Sequence, residues 1–335
     1  MATLKDVASL SGVSLATVSR VLSNSAPVKE STRICVENAA RQLNYTPNLA
    51  ARSLRTKNSR LIGISTEGNT NYMFSHLINY IADYCFENDY GLVVANHDND
   101  PQREARIFDS MRQRGVEGMI VSLVSRRSHI IPNIIQSDIP IVIFDRYLIF
   151  DQMAMGENNF SIVLDNYEAG RLAARHLLQL GHRRIALAQG PSDFDITRIR
   201  TKGFYDELAD ANMFLPPAYR FKGGFAFEDG QEVAKKILAL GDKGPTAVWA
   251  QNDLMAAGIE CELTRGGLRV PEDISVMGMD GIELSRLTSP PISTVVQPFR
   301  DMARTAVEML LGGCSERRAV FTPTVITRES TRAPK

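Results

Sequence analysis

The chain has 335 residues, 44% of them hydrophobic, and its 38 basic and 38 acidic side chains give a formal net charge of zero. This composition excludes a disordered tail, and the length allows a small domain followed by one or two α/β domains. The first ten residues lack an apolar signal core and no stretch reaches transmembrane length, so we expect a cytoplasmic protein without membrane contact. The four cysteines are far apart and have no ligand-spaced partners, so we expect reduced thiols, no metal site and no cofactor.

The first 46 residues predict three short helices, with a tight turn between the first two. Thr3 can begin the first helix in a capping box with Asp6, and Gly12 can take the left-handed conformation that the turn needs. Ser14 can cap the second helix, and Asn44 can end the third, which spans about 31–43. Apolar residues at helical spacing give each helix a face that we expect to pack, namely Leu4, Val7, Ala8 and Leu10, then Val18, Val21 and Leu22, then Ile34, Ala39, Ala40 and Leu43. The first two helices have the layout of a helix-turn-helix, whose second helix enters the major groove of DNA.

Two amphipathic helices around a glycine also occur in small helical bundles, and the charge distribution separates the two interpretations. The first sixty residues carry nine basic and three acidic side chains, which gives this segment a net charge of +6 and leaves −6 on residues 61–335. A basic segment on an acidic body indicates a polyanionic partner. The sequence therefore favours DNA binding.

Residues 48–56 have a helix-forming composition but little apolar surface of their own. Two interpretations stay open for this segment. It is either a plain linker or a hinge helix that orders only on DNA, with Leu54 inserted in the minor groove and Arg52 and Arg55 on phosphates.

From residue 61 onward, short β-branched runs alternate with helical stretches. Such runs are typical of strands buried in parallel sheets. We predict two series of strands, at 61–66, 91–96, 117–124 and 139–145, and at 160–165, 183–189, 246–251 and 274–280. Two doubly wound sheets side by side bind ligands at the carboxyl ends of their strands, in the cleft between the lobes.

Several segments resemble the LacI/GalR family of bacterial transcriptional repressors in order and spacing. They are KDVASLSGVSLATVSRVL, TRICVENAARQLNYTPNLAARSLR, RLIGIS, LDNYEAGRLAARHLLQLGHRRIALAQGP, RIRTKGF, QNDLMAAG, VPEDISVMGMD and PPISTVVQP. The resemblance implies an all-α helix-turn-helix head at 1–46, a hinge helix or linker at 47–60, and an α/β core at 61–335. This core would resemble a periplasmic binding protein, with two doubly wound parallel-sheet lobes at about 61–160 plus 292–320 and about 161–291 plus 321–335.

The resemblance also implies roles for individual residues. The positions that match DNA contacts of the family are Leu15, Ala16, Thr17, Ser19, Arg20, Asn48, Arg52, Leu54 and Arg55. The positions that match its effector site are Asn71, Met73, Phe74, Ser122 and Asp145 in the first lobe, and Arg200, Phe225, Asn252, Asp280 and Gln297 in the second lobe and crossover. No residue matches a catalytic or metal-binding role.

These effector-site residue types suit a polyol. Arg200 and Asp280 can hold adjacent hydroxyls, Asn252 can donate and accept, and Phe225 can pack on the apolar face of a sugar. The simpler interpretations stay open, since Asp280 can cap a turn and Phe225 can belong to the core. For His182 and Trp249 the simpler interpretations, a turn residue and a core residue, are the ones we expect.

Some positions depart from the family pattern. Lys29 stands where the family has a capping Ser or Thr before the third helix. In the cleft the departures are Tyr72, Gly281, Phe194 and Ile196, and the last two are apolar where relatives place polar contacts. A purine or phosphorylated effector therefore stays an alternative to a sugar.

We predict a ligand-controlled repressor of carbohydrate-utilisation genes, associated with the nucleoid. It would bind a pseudo-palindromic operator as a homodimer, because little chain follows the last core strand to carry a tetramerising heptad tail. A stand-alone sugar-binding protein would share the core but have no use for a basic head. An enzyme would need a nucleophile, paired carboxylates or a phosphate loop, and the sequence has no GxxxxGK(S/T), HExxH or GxSxG motif.

Overall fold

The computed structural model describes residues 2–23, 26–46, 58–68, 72–125, 128–145, 156–192 and 194–335. The chain divides into two compact units, Met1–Arg60 and Leu61–Lys335, which we name the head and the core. Some of the predicted features lie outside the described residues. They are the hinge helix and the site residues Asn48, Arg52, Leu54, Arg55 and Asn71.

The head contains three helices, α1 (Leu4–Ser11), α2 (Leu15–Ser23) and α3 (Glu30–Gln42). As predicted, α1 begins in a capping box, in which the Thr3 N–H donates to the Asp6 carboxylate at 2.8 Å and the Thr3 hydroxyl accepts from the Asp6 N–H. Gly12 has the left-handed φ of 67° in the turn that follows. The Thr17 N–H donates to the Ser14 hydroxyl at 3.2 Å, so Ser14 caps α2 as predicted.

The core of the head consists of small apolar side chains from all three helices, Val7, Val18, Val21, Val36, Ala39 and Ala40. Two residues that the spacing placed in this core are instead exposed, Leu10 at 47% and Ile34 at 49%. The inward positions of their helices are taken by Ser11, whose hydroxyl donates to the Val7 carbonyl at 2.6 Å, and by Val36. At the start of α3, Lys29 makes no side-chain capping bond.

The first lobe of the core is a six-stranded parallel sheet with the strand order β11-β5-β4-β3-β1-β2. Its strands are β1 (Leu61–Thr66), β2 (Gly91–Asn96), β3 (Gly118–Val121), β4 (Ile141–Phe144), β5 (Asn159–Leu164) and β11 (Arg318–Phe321). Its helices are α4 (Tyr72–Glu87), α5 (Pro101–Gln113), α6 (Ile131–Ile135) and α12 (Phe299–Leu310). The inner strands β1, β3, β4 and β5 are largely buried because both faces of the sheet are covered there, whereas the edge strands β2 and β11 are only partly buried.

The second lobe is a six-stranded sheet with the strand order β12-β10-β9-β8-β6-β7. Its strands are β6 (Ile185–Gln189), β7 (Arg220–Lys222), β8 (Ala247–Ala250), β9 (Ser275–Asp280), β10 (Ser293–Val296) and β12 (Thr324–Ile326). Its helices are α7 (Asn166–Gln179), α8 (Asp195–Asp210), α9 (Phe227–Leu238), α10 (Asp253–Arg265) and α11 (Leu284–Leu287). The predicted sheet was all-parallel, but the edge strand β12 runs antiparallel to β10.

Two predicted lobe boundaries were wrong. The strand at 160–165 was assigned to the second series, yet β5 pairs with β4 and β11 in the first sheet. The return to the first lobe was placed at 292, yet β10 pairs along its length with β9 and belongs to the second sheet. The chain returns to the first lobe only after Gln297, where α12 (Phe299–Leu310) packs in the apolar core of that lobe.

Two residues with simpler interpretations behave as predicted. Trp249 is fully buried, stacks on Phe204 with ring centroids 4.9 Å apart, and donates its indole N–H to the Gly278 carbonyl. His182 follows a left-handed glycine in the turn before β6, and one of its ring nitrogens lies 2.9 Å from the Thr246 hydroxyl. Among the described residues, no helix is both long enough and apolar enough to cross a membrane.

Candidate functional site

Helix α2 presents a small, mixed surface on the side opposite its buried valines. Leu15, Ala16 and Arg20 are exposed, whereas Thr17 and Ser19 are half-buried. The Thr17 hydroxyl lies 2.9 Å from the Ser14 hydroxyl and takes part in the cap of the helix. The guanidinium of Arg20 is the one group on this surface that can form a bidentate contact with a guanine edge. Leu15 and Ala16 can offer only apolar contact.

In the core, two predicted carboxylates stand at the carboxyl ends of strands, one in each lobe. Asp145 directly follows β4, and Asp280 is the last residue of β9. Both have a left-handed backbone, with φ of 57° and 110°, and both are at least 95% buried. The charge of Asp145 is one of the causes that raise the pKa of Asp280, so the two carboxylates lie within electrostatic range of each other.

The environment of Asp280 combines burial with three charged or polar neighbours. Burial raises the pKa of Asp280 to about 7, against the lowering effects of the Arg200 charge and of a hydrogen bond from Gln297. In that bond the Gln297 amide donates to the Asp280 carboxylate at 2.7 Å. The structure therefore brings together four of the predicted effector-site residues, with Asp280 at their centre.

Arg200 is held in place from two sides. Its Nε donates to the Asn166 side-chain oxygen at 2.7 Å, and its Nη1 donates to the Gln251 carbonyl at 3.0 Å. Helix α8 can bring Arg200 this close to α7 because Gly170 has no side chain. A Cβ atom at Gly170 would lie 2.0 Å from the Arg200 carbonyl oxygen. The guanidinium thus sits 98% buried on a rigid pair of helices.

Asn252 and Phe225 form one unit at the same end of the second sheet. The Asn252 side-chain oxygen accepts from the Met255 N–H at 2.9 Å as the cap of α10, and its amide donates to the Phe225 carbonyl at 2.8 Å. The amide of Asn252 keeps one N–H and one lone pair for a ligand. Phe225 is half-buried, packs on Gly190 and lies 6.2 Å from the Phe194 ring, so it serves both the core and an apolar wall.

The predicted first-lobe residues divide into two kinds. Met73 and Phe74 are buried in the apolar core of the first lobe, in a cluster that Ile282 of the second lobe also joins. Ser122 follows β3, and within the described residues its buried hydroxyl has no hydrogen-bond partner. The same holds for the side-chain oxygen of Gln297. Because buried polar atoms are nearly always paired, these two atoms mark positions where a ligand can complete the bonding.

Sequence reasoning missed Asp253, whose side chain holds the loop that follows Asp280. Its fully buried carboxylate accepts hydrogen bonds from the Gly281 N–H at 2.8 Å, the Ile282 N–H at 2.9 Å and the Thr294 hydroxyl at 2.6 Å. Burial, and next the charge of Asp280, raise the pKa of Asp253 to about 8. The sequence did contain a signal for this role. Asn252 and Asp253 are both typical capping residues, a helix needs only one of them at its cap, and the second is therefore available for another role.

Comparisons with known proteins agree with this architecture. Residues 3–48 match the family model described as bacterial regulatory proteins, lacI family, and residues 174–331 match a periplasmic binding protein-like domain. The chain is 34% identical over 337 residues to the HTH-type transcriptional repressor PurR of Aliivibrio salmonicida, covering 98% of this chain and 99% of the relative. It is 33% identical to the ribose operon repressor of Escherichia coli, covering 98% and 100% of the two chains.

Solved structures of transcriptional regulators also match the chain over its whole length. The lac repressor dimer bound to operator and the anti-inducer ONPF matches with a TM-score of 0.86 and 29% identity, covering 99% of both chains. The complex of the transcriptional regulator CelR with cellobiose matches with a TM-score of 0.69 and 28% identity, covering 99% of this chain and 100% of the other.

Proposed function

The chain belongs to the LacI family of bacterial regulatory proteins, and on this premise we propose that it represses carbohydrate-utilisation genes under the control of a neutral sugar. The relatives that match its whole length are transcriptional repressors, so the chain is a DNA-binding transcriptional repressor and not an enzyme, as the sequence predicted. Repressors of this family bind operator DNA and a small-molecule effector and form dimers. The proposal concerns which effector binds and which residues contact the effector and the DNA.

The observation that carries the sugar proposal is the pair of buried carboxylates. Asp145 and Asp280 both stand at the carboxyl ends of strands of their sheets and lie within electrostatic range of each other, and Gln297 and Ser122 add a buried oxygen each that has no partner in the described chain. Such a site is rich in acceptors, and a sugar hydroxyl can donate to each of them. Arg200 supplies donors for the ring or hydroxyl oxygens that remain.

The same carboxylates argue against a phosphorylated effector. A phosphate in this cleft would stand beside Asp145 and Asp280 with one guanidinium to balance them, and above about pH 7, where Asp280 is ionised, the repulsion would be strong in a buried site. The names of two matching proteins favour a sugar, since one represses a ribose operon and another was solved as a complex with cellobiose. A purine is the second candidate, because the half-buried Phe225 and Phe194 rings offer an aromatic wall for a planar base.

For DNA, we propose that the two heads of a dimer read the halves of a pseudo-palindromic operator. Leu15, Ala16 and Arg20 would face base edges, and Thr17 and Ser19 would contact the backbone. In the segment 47–60, Leu54 would enter the minor groove while Asn48, Arg52 and Arg55 contact the DNA around it.

Calorimetric titration of the purified protein tests the effector proposal. The probes are ribose, cellobiose, hypoxanthine and glucose 6-phosphate, applied to the unaltered chain, to Asp280→Asn and to the exposed control Asp109→Asn. We expect a neutral sugar to bind, and Asp280→Asn to weaken it by about 1.5–3 kcal/mol, or about 10- to 150-fold, because a charge-assisted hydrogen bond is lost. Binding of hypoxanthine or of the phosphate alone would overturn the sugar proposal and leave the repressor function intact.

A further inference from the structure

A second groove lies along α8, beside the carboxyl end of β6, and we name it the α8 groove. Its volume is about 310 Å³. Thr197, Thr201 and Tyr205, spaced four residues apart on α8, line one side, and Gln189 and Ser192 line the other. None of the residues predicted for the effector cleft lines this groove. It is therefore a separate concave surface of the second lobe.

The floor of the groove holds a buried hydroxyl whose hydrogen bonding is incomplete. Thr197 is 99% buried, and within the described residues its hydroxyl oxygen has no hydrogen-bond partner. Buried hydroxyls are nearly always paired, and leaving one without a partner costs about 1–3 kcal/mol. A ligand in the groove would supply the missing partner.

The neighbouring hydroxyl, that of Thr201, acts as a hydrogen-bond acceptor in both of its bonds. Thr201 Oγ1 accepts from the Gln189 amide at 2.8 Å and from the Gln251 amide at 2.9 Å. A threonine hydroxyl has two lone pairs and one O–H, so these bonds use its acceptors and leave its O–H to donate. The floor thus offers a donor and acceptor at Thr197 and a donor at Thr201, one helical turn apart.

The charges at the rim are compensated within the protein. Arg198 forms an ion pair with Asp195, and Lys202 forms one with Asp206. With both cations paired, the rim gives no preference to an anion. We propose that the α8 groove is a second small-molecule site, which takes a neutral polyhydroxylated molecule of about one sugar ring. The volume lies at the small end of ligand pockets, which fits a single ring.

The groove shares a hydrogen-bonded residue with the effector cleft. The Gln251 side-chain amide donates to Thr201 and to the Thr197 carbonyl, while the Gln251 backbone carbonyl accepts from Arg200. A ligand that forms a hydrogen bond with Thr197 or Thr201 would therefore perturb Gln251, whose backbone carbonyl holds the Arg200 guanidinium. By linkage, any effect of this ligand on effector affinity has an equal reciprocal effect.

Saturation-transfer NMR with ribose, glucose and myo-inositol, applied to full-length protein, tests the site. The starting protein is Asp280→Asn, in which the cleft is impaired. On it we place Ser192→Trp, which fills the groove from an exposed position, Thr197→Val, which removes the hydroxyl at constant shape, and the control Gln179→Trp, which adds the same ring at an exposed position outside the groove. Thermal unfolding of each variant shows whether it is folded.

We expect at least one of the three polyols to bind the Asp280→Asn protein and the Gln179→Trp control equally. Ser192→Trp should abolish that binding, and Thr197→Val should weaken it about tenfold through the lost hydrogen bond. Binding that persists in Ser192→Trp, or the absence of binding by all three polyols to Asp280→Asn, would overturn the second site. Sugar binding that Asp280→Asn weakens and Ser192→Trp leaves unchanged would support the cleft by itself, so the two proposals fail separately.

Discussion

Asp280 couples the electrostatics of the cleft to pH. Its pKa is raised by burial from 3.8 to about 7, so the folded chain holds this proton more tightly than the unfolded chain does. The contribution of Asp280 to stability is fully present below its unfolded pKa and is lost as the pH rises through about 7. We expect the free energy of unfolding to fall less between about pH 5 and about pH 8 in Asp280→Asn than in the unaltered chain. Urea unfolding at the two pH values measures this, and an equal fall in both proteins would contradict the assignment.

Asp253 is a positioning residue for the loop that carries Asp280. Asp253→Ala would leave the Gly281 and Ile282 N–H groups without an acceptor, and we expect a loss of about 2–5 kcal/mol in stability with weaker effector binding. Because the pKa of Asp253 is raised to about 8 by burial, the carboxyl is largely protonated at neutral pH. Asn has the matching donor and acceptor, so Asp253→Asn should restore both properties. Thermal unfolding and titration measure them, and an Asn variant as impaired as Ala would show an ionised Asp253.

Arg20 is the side chain on α2 to which we assign base recognition. Arg20→Ala should weaken operator binding by about 1–3 kcal/mol and relax the preference at one base pair of each half-site. The exposed Arg41 on α3 is the matched control, and Arg41→Ala should leave the base preference unchanged. Fluorescence anisotropy on operator and on random DNA separates the effects. An equal loss on both DNAs would make Arg20 a phosphate contact.

At the scale of elements, the close approach of α7 and α8 fixes the position of Arg200. In Gly170→Ala the new methyl group would meet the Arg200 carbonyl at 2.0 Å, and the two helices must separate to accommodate it. We expect destabilisation of about 1–3 kcal/mol together with weaker effector binding. Gln179→Ala, exposed on the same helix, is the control for helix propensity. A Gly170→Ala protein with unchanged stability and affinity would contradict this account of the helix pair.

Element patterns in the sequence predicted the strands that are buried on both faces, because runs such as 61–66 and 274–280 are mostly apolar. Periodicity did not resolve which apolar residue of a short helix turns inward. Ser11 and Val36 take positions that Leu10 and Ile34 were expected to fill. The two helices have only 8 and 13 residues, too few turns for apolar spacing alone to define the buried face. The antiparallel strand β12 was missed because strand direction depends on the path of the chain between lobes, which local sequence does not encode.

At the scale of the whole molecule, resemblance to the family identified the cleft residues that the fold brings together. Asp145, Asp280, Gln297 and Arg200 are more than 100 residues apart at the extremes, and no local pattern joins them. Asp253 and Thr197 were missed for a different reason. Their roles depend on burial and on partners in other segments, and both appear in the sequence as ordinary first-turn residues of amphipathic helices.

Control of DNA binding by a neutral sugar is the central claim, and selection of bound genomic fragments by the purified protein tests it most directly. The selection is made without ligand and with ribose, cellobiose, hypoxanthine or glucose 6-phosphate. The expected result is a palindromic motif whose enrichment one neutral sugar abolishes or strengthens, while Asp280→Asn protein keeps the motif and loses the response. A motif that responds only to hypoxanthine or glucose 6-phosphate, or to no sugar, would contradict the claim.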